Sequence, residues 1–239
     1  MEKELFVFEY PGILENSKIE SSIISQLQSK IEQNSTDIRI ISDLTLFAEG
    51  ELESKIKKEF NLNPTQVIDG TFLTIQFLKA NNISIIFAIG SDNFITRLQK
   101  SGIKVYTEND HEDGKIEEIE LKNDLQAVII SIDPQYSFRR ISIATRYVIE
   151  KKCLYYSIGS ERRFQKPNGN YYAGAYTLAT PISSASFSEI KVIGMSTMEI
   201  FNDLSSFSEI HLIGTTEALS DYSKKIQTIN NKIILKIVQ

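Results

Sequence analysis

Gly90-Ser91 follows an apolar run and precedes a helical pattern, an arrangement in which backbone N–H groups can cradle a phosphate. No G-x-G-x-x-G or G-x-x-x-x-G-K surrounds the pair, so a plain turn is the simpler reading. Arg139-Arg140, Arg146 and Arg162-Arg163 could make a basic patch; solvated helix faces explain them equally well. Tyr155, Tyr156, Tyr171, Tyr172 and Tyr176 crowd strand-like segments. Strand alternation would send half of them to the core and leave the other half as a contact surface. His111 and His211 are far apart with no cysteine beside them, which argues against a zinc site. Cys153 is the single cysteine, so no internal disulfide can form and a reducing compartment is expected.

The elements that must position these residues alternate. Leu5-Phe6-Val7-Phe8 reads as a buried strand, closed by a turn at Gly12. Ile19, Ile23, Ile24, Leu27 and Ile31 recur at helical spacing, and Ile38-Arg39-Ile40-Ile41 is a second strand. Leu52, Ile56 and Phe60 mark a helix. From Asp69-Gly70 a second unit begins: a helix over Phe72–Lys79, a strand over Ile83–Ile89, a helix to Lys100 and a strand over Ile103–Tyr106. Glu108 to Glu120 reads as an exposed acidic loop. A strand over Ala127–Ile132 follows, then a helix with Ile141, Ala144, Tyr147 and Val148 inward, and a strand over Cys153–Ile158. Asn168-Gly169 signals a turn between two extended pieces. The last section returns to the first pattern: strands over Glu189–Ile193, Glu209–Ile213 and Lys232–Val238, with helices over Met198–Leu204 and Leu219–Ile226. Strands linked by helices through short turns imply parallel sheets with crossovers.

The 239 residues suffice for one large domain or two modest ones. A 41% hydrophobic and 24% charged composition is that of an ordinary globular protein. The net charge of −5 argues against binding nucleic acid by neutralising phosphates. No apolar run reaches the length of a membrane span. The opening MEKELFVFEY has the character of neither a signal nor a transit peptide, so a cytoplasmic location is expected, with a cytoskeletal or ciliary assembly as one version of it. The sequons at Asn34 and Asn82 are then chance.

The stretch Leu5 to Leu14, LFVFEYPGIL, resembles the first motif of the haloacid-dehalogenase (HAD) phosphatases, an apolar strand running into Asp-x-Asp-Gly. The whole chain is similar to one branch of them, the p-nitrophenyl phosphatase, phosphoglycolate phosphatase and NagD-like family. Ala127 to Phe138, AVIISIDPQYSF, resembles that family's apolar strand, Asp-Pro and aromatic pair. Thr145-Arg146-Tyr147, Cys153-Leu154, and Asn168-Gly169 with Ala173-Gly174 continue the match. The resemblance implies an α/β fold: a HAD-like Rossmann core with a parallel sheet, over 1–66 and 187–239, and an inserted α/β cap of the C2 type over 67–186.

It also implies where catalysis should sit. Glu9 stands at the nucleophilic Asp and Pro11 at the acid/base Asp. Ser42 keeps the hydroxyl of the second motif, while Asp43 and Leu44 replace its amides. Met195 stands at the lysine, Thr215 at the metal-binding Asp, and Ala218 and Ser220 at the later acids. Gly159-Ser160-Glu161 replaces the cap's substrate-facing Asn-x-Asp. HAD chemistry needs carboxylates to hold Mg²⁺ and a lysine to offset the phosphate charge. With these positions replaced, the expectation is an inactive homologue with no catalytic residue, no bound metal and no other cofactor. Its expected role is that of a structural or interaction subunit of a larger protein assembly, with a cap-mediated homodimer or hetero-contact, and neither nucleic acid nor membrane as partner. A ligand-sensing module and a residual Mg²⁺-dependent phosphatase using Glu9, on small phosphorylated metabolites, are the alternatives.

Overall fold

The computed structural model describes residues 4–10, 36–60, 66–111, 114–165, 170–194, 204–214, 223, 227 and 233–237. The expected helix over Ile19–Ile31, all but Ser223 of that over Leu219–Ile226, most of that over Met198–Leu204, and the turn at Asn168-Gly169 lie outside these residues.

The first sheet is wholly parallel. It holds β1 (Glu4–Glu9), β2 (Thr36–Ile41), β3 (Gln66–Ile68), β11 (Glu209–Gly214) and β12 (Ile233–Ile237), in the order β12-β11-β1-β2-β3. The side chains of β1 are buried on both faces. Leu5 and Val7 join Ile41, Ile68, Ile210 and Leu212 on one side; Phe6 and Phe8 join Ile38, Ile40, Ile213 and, from α1 (Glu51–Phe60), Leu52 and Ile56 on the other. Coverage of both faces explains why these strands read as continuous apolar runs.

The second sheet is also parallel. It contains β4 (Ile85–Ile89), β5 (Lys104–Tyr106), β6 (Ala127–Ile130), β7 (Leu154–Ile158) and β10 (Lys191–Ile193), ordered β10-β7-β6-β4-β5. Its helices are α2 (Gly70–Ala80), α3 (Asp92–Lys100), α4 (Phe138–Glu150) and α5 (Ala175–Ser186). Phe87, Ile89, Val128, Ile130 and Tyr155 face α4 and α5; Ile86, Ala88, Ala127, Ile129 and Tyr156 face α2 and α3. Tyr155 and Tyr156 are therefore both core, because both faces are covered, whereas Tyr171 and Tyr172 on the hairpin β8 (Arg163–Gln165) and β9 (Tyr171–Ala173) are exposed.

Two strand placements depart from the expected division at 66/67 and 186/187. β3 continues to Ile68 within the first sheet. β10, expected with the first sheet, pairs with β7 in the second, Lys191 opposite Tyr156 and Ile193 opposite Ile158. By strand pairing the chain passes between sheets at Asp69 and again beyond Ile193.

The acidic stretch is not simply an exposed loop. It forms short turns of 3-10 helix at Glu108–Asp110 and Ile116–Glu118, and buries His111 and Ile119. Arg140 is drawn into ion pairs with Glu108 and Asp133, and Arg146 pairs with Glu150, so these arginines are committed to neighbours rather than pooled as a patch.

His111 sits between the Thr107 carbonyl, 2.9 Å from Nδ1, and the Tyr147 hydroxyl, 2.8 Å from Nε2. Burial holds its pKa below the usual value of about 6.5. The folded state thus takes up this proton less readily than the unfolded chain. The contribution to stability is complete above about pH 6.5 and falls as pH drops below it toward the folded-state pKa. The melting midpoint of wild type should fall between about pH 7 and about pH 5, and by less in His111→Gln; equal slopes would refute this assignment.

Candidate functional site

The carboxyl ends of β1 and β2 bring Glu9 and Ser42, two of the expected site positions, side by side, and the loop Ser42–Phe47 follows. In open parallel sheets this is the edge where ligands bind. Glu9 closes β1 opposite Ile41 and is 6% exposed. The Tyr10 N–H donates to the Ile41 carbonyl at 2.9 Å, and the Ser42 N–H to that of Ile68 at 2.9 Å. These bonds fix the chain at both positions. Pro11, Met195, Thr215, Ala218 and Ser220 lie outside the described residues.

Ser42 is buried, and its Oγ accepts from the Leu44 N–H at 3.2 Å, which folds the start of the loop into a local turn. Leu44 packs in one apolar cluster with Phe8, Tyr10 and Phe164, the last delivered by the β8–β9 hairpin. Lys55 of α1 donates to the Tyr10 hydroxyl at 2.5 Å.

Asp43 meets the second sheet. A Cβ added to Gly159 would lie 3.2 Å from the Asp43 Cβ, and one added to Gly194 would lie 3.7 Å from its Oδ1. Gly159 has φ +78, and its N–H donates to the Ile193 carbonyl at 2.7 Å. A side chain on the left-handed backbone of Gly159 would come into close contact with Asp43.

The rest of the loop is fastened from several sides. Thr45 and Ser131 share a hydrogen bond between their hydroxyls. Ser91 Oγ donates to the Thr45 carbonyl at 3.2 Å, Asn93 Nδ2 to that of Leu46 at 2.9 Å, and an Arg97 N–H to that of Phe47 at 3.3 Å. The Gly70 N–H donates to the Leu44 carbonyl at 3.2 Å. Asp69 accepts from the Phe72 N–H at 2.7 Å, capping α2, and holds Arg97 through both oxygens at 2.5 and 3.0 Å. Gly90-Ser91 is thus a helix start whose serine caps α3 through the Phe94 N–H and braces this loop.

The family's Asp-Pro signature has a structural use here. Asp133 accepts from the Gln135 N–H at 2.8 Å and pairs with Arg140, and the Tyr136 hydroxyl donates to the Leu178 carbonyl, tying the start of α4 to α5.

A HAD site would require Mg²⁺, and of the ligand positions that the family resemblance assigns, Glu9 carries a carboxylate. Glu9 is a buried carboxylate at the expected place, but proline, threonine and alanine at 11, 215 and 218 supply no carboxylate side chain. Mg²⁺ demands near-octahedral oxygen ligation.

No family model matches the chain. It is similar to glycerol-3-phosphate phosphatase of Rattus norvegicus, 26% identical over 124 residues, which is 50% of this chain and 39% of that protein. The chain thus aligns with well under half of the length of this curated relative. Among solved structures it is similar to a hypothetical protein from Pyrococcus horikoshii OT3, with a TM-score of 0.75 at 15% identity over 98% of this chain and 96% of the other. It is also similar to the 4-nitrophenylphosphatase of Thermotoga maritima, with a TM-score of 0.73 at 13% identity over 99% and 86%. A NagD-named structure gives a TM-score of 0.75 at 12% identity over 98% and 88%. With two parallel sheets joined across the Ser42–Phe47 loop and these structural neighbours, the chain has the fold of the NagD and p-nitrophenylphosphatase group of HAD phosphatases.

Proposed function

We propose that this protein is a catalytically degenerate HAD phosphatase homologue that serves as a structural or interaction subunit of a larger protein assembly. The observation that carries the reading is the use made of the loop after β2. Ser42 Oγ accepts from the Leu44 N–H, Leu44 packs with Tyr10 and Phe164, and Asp43 abuts Gly159 and Gly194. A phosphate pocket needs polar, charge-balancing groups there; this arrangement offers packing between two sheets. The replacements at Pro11, Met195, Thr215 and Ala218 support the same reading. The competing reading is a residual Mg²⁺-dependent phosphatase on small phosphorylated metabolites. It is favoured by Glu9 and Asp43 at the carboxyl ends of neighbouring strands and by the phosphatase names of the relatives.

Hydrolysis of p-nitrophenyl phosphate with Mg²⁺ separates the two. Wild type is expected to show none above background. Glu9→Asp with Pro11→Asp should remain inactive, because catalytic groups that act as a unit are strongly non-additive. Adding Met195→Lys and Thr215→Asp gives the first combination with all four groups restored. Wild-type turnover abolished by Glu9→Ala would overturn the proposal. Native-size fractionation of a source-cell extract should place the protein in a complex far larger than the chain itself; elution as a free monomer would overturn the assembly role.

A further inference from the structure

At the opposite end of β1 from Glu9, strand alternation and register gather a second set of functional groups. Glu4 and Phe6 share one face of β1, and Glu209 and His211 share one face of β11. The parallel register sets Glu4 against Glu209 and Phe6 against His211. The Phe6 and His211 rings stack with centroids 4.2 Å apart and planes 4° apart, which fixes the imidazole. Its Nε2 then points back between the carboxylates, 3.4 Å from a Glu209 oxygen and 3.7 Å from a Glu4 oxygen. All three donor atoms lie within 4.8 Å of one another.

We propose that Glu4, Glu209 and His211 form a binding site for a divalent transition-metal ion of the zinc class, clasping β1 to β11. Two carboxylates set opposite one another on adjacent strands attract a cation to the space between them. The His211 contacts exceed the roughly 2.7–3.2 Å of a good N–H···O bond. They lie close to the edge of a tetrahedron around zinc, about 3.3 Å for metal–ligand bonds of roughly 2.0–2.1 Å. Closing the third edge falls to Glu209, whose side chain is 48% exposed and can rotate, while His211, 7% exposed, is held. One imidazole and two carboxylates suit zinc; Mg²⁺ and Ca²⁺ prefer all-oxygen shells. Water would complete the shell. The site is on the order of 16 Å from Glu9, from five strand steps of about 3.3 Å, and is independent of the catalytic positions.

The test is calorimetric titration of Zn²⁺ into the full-length chain near neutral pH, with Mg²⁺ in parallel. One Zn²⁺ per chain at micromolar affinity or tighter is expected, with no Mg²⁺ bound at these residues. His211→Asn and Glu209→Gln should each weaken Zn²⁺ binding at least tenfold, and His111→Gln should leave it unchanged. Glu209→Gln is the decisive variant, since a half-exposed strand residue can change without loss of the fold. Substoichiometric or millimolar binding overturns the site. So does micromolar binding that Glu209→Gln and His211→Asn leave intact. Zn²⁺ should also raise the melting midpoint of wild type and leave that of His211→Asn unmoved. Co²⁺ loaded into wild type should show the visible d–d bands of a tetrahedral ion, and these should vanish in Glu209→Gln.

Discussion

Asp69→Ala is expected to cost about 3–5 kcal/mol of folding stability, because it strands one partner of a buried ion pair. The Asp69 side chain is 7% exposed and that of Arg97 14%. The carboxylate also caps α2, an interaction worth about 1 kcal/mol when lost alone. The measurement is chemical denaturation monitored by circular dichroism. A second variant isolates the cause. If the stranded guanidinium dominates, Asp69→Ala with Arg97→Met should recover part of the loss, since the methionine needs no partner. A single-variant loss below about 1 kcal/mol, the level of an exposed pair, would show that the bridge carries no weight.

Gly70→Ala should destabilise by about 2–4 kcal/mol, although alanine for glycine within a helix ordinarily gains about 1 kcal/mol. The reversal is steric. An added Cβ would lie 2.4 Å from the Asp43 carbonyl oxygen and 2.9 Å from both the Asp43 carbonyl carbon and the Thr45 Cγ2. Two of the three obstacles are backbone, so either the start of α2 or the Ser42–Phe47 loop must move. Movement would stretch the bond from the Gly70 N–H to the Leu44 carbonyl. A variant as stable as wild type in denaturant would mean that helix and loop do not approach this closely.

Much of the fold was legible because burial on two faces leaves continuous apolar runs. Leu5 to Phe8 and Ile38 to Ile41 each read as strands, and the helix expected over Phe72–Lys79 after Asp69-Gly70 runs from Gly70 to Ala80. β10 was misplaced because a three-residue strand carries no local sign of its partner; only its bonds to β7 assign the sheet. The acidic stretch reads as exposed because its apolar residues, Ile116 and Ile119, are diluted by charge, yet Ile119 is buried. Within the site, the family resemblance singles out Glu9, Ser42 and Gly159, and the structure sets Glu9 and Ser42 at the ends of adjacent strands. The bracing of the loop after β2 was not legible, because Thr45 meets Ser131 across 86 positions of sequence and Arg97 meets Asp69 across 28. His211 was set aside for want of nearby histidine or cysteine. Its neighbour Glu4 is distant in sequence and reaches it through the β1–β11 register, a property of tertiary structure alone.

That register also orders events during synthesis. Glu4 pairs on one side with Thr36, which soon follows it from the ribosome, and on the other with Glu209, which comes far later. The second sheet draws all its strands from the continuous span between Ile85 and Ile193. It can therefore close while the first still lacks β11 and β12. Until then one edge of β1 offers unpaired backbone N–H and C=O groups to any passing strand. Long-range parallel pairing is intrinsically slow, so the nascent chain passes through an interval of aggregation risk that ends only when β11 arrives.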